Sequence, residues 1–180
     1  AGFWGKNLAR NFHALGVLKI ICDASEEALN SSIEKYPDVS TTISFSDVLA
    51  RHDIDAIVIS TPAELHHSLA RDFLLAGKHV FVEKPLAMNV TEGDELVRLA
   101  HESGKVLFVG HVLQYHPAIK AIKLLLAEGK LGKLQYIYSN RLNLGKFRRE
   151  ENILWSFAPH DISVILSLIK EEPVYVYAHG

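Results

Sequence analysis

With one cysteine, Cys22, in 180 residues, no disulfide framework can support the fold, and a reducing cytoplasm is the expected setting. Charge of one sign is lacking too. Lys plus Arg number 19 against 21 Asp plus Glu, a formal net charge of −2, so the basic face of a nucleic-acid binder is missing. No apolar run reaches the roughly 18 residues of a membrane span, and neither a nucleic acid nor a membrane is an expected partner. Internal repeats, low-complexity tracts and flexible linkers are absent, no signal peptide stands out, and no metal site is expected. The chain opens at Ala1-Gly2, inside what reads as a motif, and both ends are expected to be truncated. What remains is 48% hydrophobic and 22% charged, an ordinary globular composition with room for one or two domains.

The stretch His79-Val80-Phe81-Val82-Glu83-Lys84-Pro85 reads as a short buried parallel strand. It is an apolar run rich in strand formers, entered from Gly77-Lys78 and stopped by Pro85. Ligands of open α/β sheets bind outside the carboxyl ends of the strands. Lys84 is therefore a candidate ligand-facing group, held on backbone that the proline stiffens, and Lys84–Pro85 is a candidate cis peptide. The plainer reading is a strand that ends in a solvated, charged turn.

Upstream, Ala1-Gly2-Phe3-Trp4-Gly5 looks like the tail of Gly-x-Gly-x-x-Gly. Gly2 would admit a pyrophosphate and Gly5 would let the next helix pack closely. That helix is expected over 6–15, with Leu8, Phe12 and Leu15 at helical spacing, and its amino end would hold phosphates. Strand 17–22 then ends at Asp23, about 20 residues past Gly2, where this fold places the acid that binds the adenosine ribose. Ala24-Ser25-Glu26-Glu27 supplies no cation for a 2′-phosphate, which favours NAD over NADP. Ser25 reads as the N-cap of helix 25–36. A strand at 41–45, a small helix capped by Ser46, a strand at 54–60 broken by Thr61-Pro62, and a helix at 64–76 follow. His66 opens that helix close enough to the strand end to face the cofactor. A helix capped by Thr91, which with Asp94 resembles a capping box, and a strand at 106–110 complete a β-α-β-α alternation, hence a doubly wound parallel (Rossmann) sheet lacking its first strand.

Beyond residue 110 the pattern changes. A helix over 117–128 starts on Pro117. A long alternating strand is expected over 133–144, suited to a one-side-covered antiparallel sheet. A charged loop over 145–152, a helix over 159–170 with His160-Asp161 at its amino end, and the start of another strand at 173–179 come next. The expected domains are 1–112, binding dinucleotide, and 113–180, the opening of an α+β substrate and oligomerisation domain.

Together, Gly2-Phe3-Trp4-Gly5-Lys6-Asn7, Asp23, Thr61-Pro62 with His66, Glu83-Lys84-Pro85, Tyr115-His116-Pro117 and His160-Asp161 resemble the glucose–fructose oxidoreductase / inositol dehydrogenase (Gfo/Idh/MocA) family of NAD(P)-dependent sugar dehydrogenases. Segments 110–117 and 139–161 are similar to its UDP-N-acetylglucosamine and UDP-N-acetylglucosaminuronate 3-dehydrogenases. Two departures stand out: Ser156 where members often have Asp, and Gln114 where many have Arg. The resemblance implies NAD contacts from Gly2, Phe3, Trp4, Gly5, Asp23, Ser60, Thr61, Pro62, His66, Glu83 and Lys84. It implies substrate contacts from Lys84, Gln114, Tyr115, Arg141, Arg148, Arg149 and His160, and a homo-oligomer, dimer or tetramer.

The implied reaction is oxidation of a secondary sugar hydroxyl, at C3, of a nucleotide sugar. His160 would take the hydroxyl proton, since an unshifted imidazole suits a base near neutral pH. Lys84 would hydrogen-bond the same oxygen and stabilise developing alkoxide charge. The reverse assignment, Lys84 as base, also stands. Glu83 would orient Lys84 or the cofactor. Arg141, Lys146, Arg148 and Arg149 would meet a diphosphate, or else form a solvated charged face. A dehydrogenase of free sugars or inositols, and a non-catalytic NAD sensor, are the rival readings.

Overall fold

The computed structural model describes residues 3–142 and 153–179. The chain divides into two compact units, Ala1–Gly110 and His111–Gly180. In the first unit, helix α1 (Phe3–Ala14) leads to strand β1 (Ile20–Cys22), α2 (Glu26–Lys35), β2 (Ser40–Thr42), α3 (Phe45–Ala50) and β3 (Ala56–Ile59). A short 3-10 turn, Ala63–Leu65, then opens α4 (His66–Leu75), followed by β4 (His79–Val82), α5 (Val90–Ser103) and β5 (Leu107–Val109). Every strand pair is parallel, with a helix in each crossover between paired strands. The strands form two sheets, β1-β2 and β3-β4-β5, and β1 and β3 each keep one edge without a strand among the described residues.

The β4 strand shows why this sequence folds as it does. Val80 and Val82 are fully buried beneath α4 and α5, against Leu74, Phe73, Leu96 and Ala100. Phe81 points to the opposite face and stacks on Phe108 of β5, ring centres 5.2 Å apart. Period-2 alternation within an apolar run thus sorts aliphatic side chains to the helices and aromatic ones to the other face. Lys78 starts the strand with its amine turned inward, Nζ donating to the carbonyls of Arg51 at 2.6 Å and Ile54 at 2.9 Å. Two such acceptors make its burial tolerable.

Helix ends follow local chemistry, with shifts from expectation. Ser25 caps α2, its hydroxyl accepting from the Ala28 N–H. The cap of α3 is Ser44 rather than Ser46, accepting from the Asp47 N–H. The cap of α5 is Asn89 rather than Thr91. Its Oδ1 accepts from the Glu92 N–H at 2.9 Å while the Glu92 carboxylate reaches back to the Met88 N–H. At its far end α5 closes on Gly104 in the left-handed region, φ +63°.

In the second unit a 3-10 turn, Val112–Tyr115, precedes α6 (Pro117–Ala127), and α7 runs Ile153–Ile169. Helix α7 begins earlier than expected. Apolar residues from Leu154 onward continue its pattern through Pro159, so His160 lies within the helix and not at its amino end. Segments 133–142 and 173–179 form no strand among the described residues, where a long strand over 133–144 and the start of another at 173–179 were expected. Alternation gives a chain a strand's shape, and only a neighbour's backbone makes it a ladder. The expected charged loop with Lys146, Arg148 and Arg149 lies outside the described residues, as do Ala1 and Gly2.

Candidate active site

The three strands β3, β4 and β5 end in register, with Ile59 beside Val82 and Val82 beside Val109. One more backbone bond follows on each side: Glu83 N–H donates to Ile59 C=O at 2.9 Å, and Gly110 N–H to Val82 C=O at 2.8 Å. Three segments therefore emerge along one carboxyl edge: Ser60-Thr61-Pro62, Glu83-Lys84-Pro85, and Gly110. That edge is where ligands of parallel sheets bind.

Lys84 is half-buried there, and the Lys84–Pro85 bond is cis. Glu83 is only 8% exposed, and its Oε1 has no hydrogen-bond partner among the described residues. Burial pushes the Glu83 carboxyl up, against the opposing pull of the Lys84 backbone N–H and of the Lys84 and His66 charges. Gly110 completes this corner. A Cβ built on it would come within 3.0 Å of Glu83 Oε1 and 3.1 Å of Oε2. Sequence reasoning did not single out Gly110 as a site residue, although a glycine closing a strand is the signal that backbone passes close to something.

His66 was expected to face the cofactor; in the structure its ring is turned to main chain. It is 1% exposed, with Nδ1 at 2.7 Å from the Pro85 carbonyl oxygen and Nε2 at 2.9 Å from that of Thr61. Both ring nitrogens are engaged by main chain, so none is left for a ligand. Thr61 and Pro62 are exposed at the mouth of the same edge, and Ser60 is half-buried.

The cofactor residues expected near the amino end are also in the first unit. Gly5 is buried and Trp4 exposed in the first turn of α1, whose leading N–H groups have no intrahelical partner. Asp23 follows β1 directly. Its N–H donates to Thr42 C=O, and its Oδ1 accepts from the Ser25 N–H at 2.9 Å, which holds the carboxylate at the strand end.

In the second unit, His160 is half-buried in α7. Its neighbour Asp161 accepts a fork from Arg141, Nε to Oδ2 at 3.0 Å and Nη2 to Oδ1 at 3.1 Å, and a third bond from the Ser139 hydroxyl. Arg141, expected at a substrate diphosphate, thus commits two of its donors to Asp161 and lies over the Phe157 ring. Sequence reasoning missed this pairing, because a separation of twenty residues carries no periodic signal. Gln114 accepts from Lys123 Nζ at 2.6 Å, and Tyr115 is exposed with Lys120 Nζ 5.6 Å from its ring centre. Arg148 and Arg149 lie outside the described residues. Among the described residues no helix is long and apolar enough to cross a membrane, and no three His, Cys, Asp or Glu cluster as for a metal.

Known proteins share these features. Over 99% of its length the chain is 29% identical to the UDP-N-acetylglucosamine 3-dehydrogenase of Acidithiobacillus ferrooxidans, of which it covers 55%. The chain thus spans about half the length of the curated relatives it matches. A probable dehydrogenase from Thermotoga maritima superposes with a TM-score of 0.83 over 96% of this chain and 54% of that one, at 23% identity, a likeness of fold. The WlbA dehydrogenase from Bordetella pertussis, solved with NADH and UDP-GlcNAcA, is 33% identical over 64% of this chain and 33% of its own, with a TM-score of 0.60. Residues 1–111 match the Gfo/Idh/MocA family, described as an oxidoreductase family with an NAD-binding Rossmann fold. With a parallel sheet whose carboxyl edge carries Glu-Lys-Pro, the chain belongs to that family.

Proposed function

We propose that this chain is part of an NAD-dependent dehydrogenase that oxidises a secondary hydroxyl, at C3, of a nucleotide sugar such as UDP-GlcNAc or UDP-GlcNAcA. The observation that carries the reading is the similarity, along nearly the whole chain, to a UDP-N-acetylglucosamine 3-dehydrogenase. The full protein is read as a cytoplasmic homo-oligomer.

The first unit fits a dinucleotide. The amino end of α1 offers N–H groups and a positive dipole end to a pyrophosphate. Asp23, held at the end of β1 by the Ser25 N–H, offers an acceptor to ribose hydroxyls. The partnerless Glu83 Oε1 offers a buried acceptor at the carboxyl edge. NAD, when bound, accepts the hydride. Lys84 donates a hydrogen bond to the substrate oxygen, which stabilises it as negative charge develops. His160 takes the hydroxyl proton. Arg141, tied to Asp161, holds the helix turn that carries His160.

The test is NADH formation by the full-length protein offered UDP-N-acetylglucosamine, its uronate, and myo-inositol. Turnover on a UDP-sugar, lost in both Lys84→Ala and His160→Ala with NAD binding retained, is expected. Turnover on myo-inositol alone would remove the nucleotide-sugar claim. Tight NAD binding without turnover on any of the three would favour a sensor.

A further inference from the structure

We infer that His66 is held as an imidazolium and is the positioning residue that sets Lys84, its two ring N–H groups tying the end of β3 to the backbone just beyond Lys84. The inference rests on the proposed role of Lys84 for its functional half, and on geometry alone for its structural half.

Both partners of the ring are carbonyl oxygens, Pro85 C=O at 2.7 Å from Nδ1 and Thr61 C=O at 2.9 Å from Nε2. A carbonyl can only accept. A neutral imidazole carries one N–H and one bare nitrogen, so either tautomer would press a lone pair against an oxygen at hydrogen-bond distance. Turning the ring over offers no escape. It would put ring carbons close to where the nitrogens now stand, 2.7 and 2.9 Å from the oxygens, inside the roughly 3.3–3.6 Å of a C–H···O contact. At 1% exposure there is no bulk solvent to relieve the mismatch. Only the ring protonated at both nitrogens satisfies both carbonyls.

A buried cation needs a counter-charge. Glu83, buried at the same corner two residues before Pro85, is the carboxyl placed to offset it. The adjacent His67 does not compete, since its Nε2 is turned to Glu95 of α5 at 2.8 Å. His66 sits in the first turn of α4, whose body packs on β4. It therefore transmits the position of that helix to two loops at once. One is the Thr61 turn and the other the peptide that follows Lys84. With the Glu83 N–H already fixed to Ile59 C=O, the backbone is held on both sides of Lys84. The pattern Thr-Pro-x-x-x-His followed by Glu-Lys-Pro then reads as one device. The histidine is the bolt between the two strand ends and does not touch ligand.

Two readouts on the full-length protein test this. The first is the ring-nitrogen NMR spectrum of protein labelled with 15N-histidine at neutral pH, with the His66 signals identified by their loss in His66→Gln. The expected result is two protonated ring nitrogens at His66 whose hydrogens exchange slowly. One protonated and one bare nitrogen would overturn the inference. If the variant does not fold, the buried, slowly exchanging pair of ring N–H signals in the wild-type spectrum decides, its presence supporting the inference and its absence overturning it. The second is the kinetics of His66→Gln and His66→Phe. Misplacing Lys84 should lower kcat by up to about 100-fold, with KM for NAD changed by less than about twofold. A raised KM for NAD at unchanged kcat would mean that His66 touches the cofactor. Absence of turnover in the wild-type protein would remove the proposed function, and the NMR spectrum would still decide the state of His66.

Discussion

At the residue scale, Glu83 and Gly110 are mutually dependent. An alanine methyl at Gly110 would meet the Glu83 carboxylate at 3.0–3.1 Å, tighter than ordinary packing, and the carboxylate is itself buried. Gly110→Ala should cost about 1–2 kcal/mol in urea unfolding. In a Glu83→Ala background the same change should cost less than half of that, as expected for residues in contact; equal costs in both backgrounds would show that the clash is not with Glu83. Asp23→Ala should raise KM for NAD and leave kcat nearly unchanged, since uniform binding is all it supplies. Unchanged KM would take Asp23 out of the ribose site. Of these residues, Glu83, Lys84 and Asp23 were legible in the sequence, because each directly follows an apolar strand and charge at that place has few structural uses. The role of His66 was not legible. Nothing in Thr-Pro-x-x-x-His says whether the ring turns out to a ligand or inward to two carbonyls, since only the fold brings Pro85 beside it.

At the element scale, helix ends and one ion pair are open to test. Asn89→Ala should destabilise the protein by about 1 kcal/mol in thermal or urea unfolding, and Thr91→Ala should be close to neutral, because Asn89 makes the capping bond. The reverse ranking would return the cap to Thr91. Each cap falls two residues before the one expected, Ser44 for Ser46 and Asn89 for Thr91, because the backbone path entering the helix makes the choice. Arg141 and Asp161 join segment 133–142 to α7, and the guanidinium fork holds the Asp161 carboxyl below the usual carboxylate range, with Ser139 adding to it. A carboxyl depressed in the folded state contributes stability above its unfolded pKa, lost as pH falls through the folded value. The deficit of Arg141→Ala relative to wild type should therefore be present at pH 7 and fade as the solution is acidified below about pH 4. Because the pair is partly exposed, the deficit should stay under about 1 kcal/mol. A deficit that persists unchanged in acid would assign Arg141 another role.

At the scale of the whole molecule, the residues proposed to hold NAD all fall in the first unit, and chain order alone separates them by more than sixty positions. Hydrogen exchange should therefore show NAD protecting α1's first turn and the segments after β1, β3 and β4, with α2 and α5 little changed. Protection of those helices in place of the strand ends would sink the site. The parallel alternation that predicts this arrangement was plain in the sequence, since β1, β3, β4 and β5 are short apolar runs set between helical stretches. The second unit was less legible: segments 133–142 and 173–179 have the alternation of strands, but alternation names no partner. A molecule arranged like the first unit also carries its own capacity for change. Ile59, Val82 and Val109 mark a common frontier, behind which substitutions disturb packing and beyond which they alter what is held. The short segments past that line are therefore the place where changed side chains can alter the ligand and leave the interior as it is.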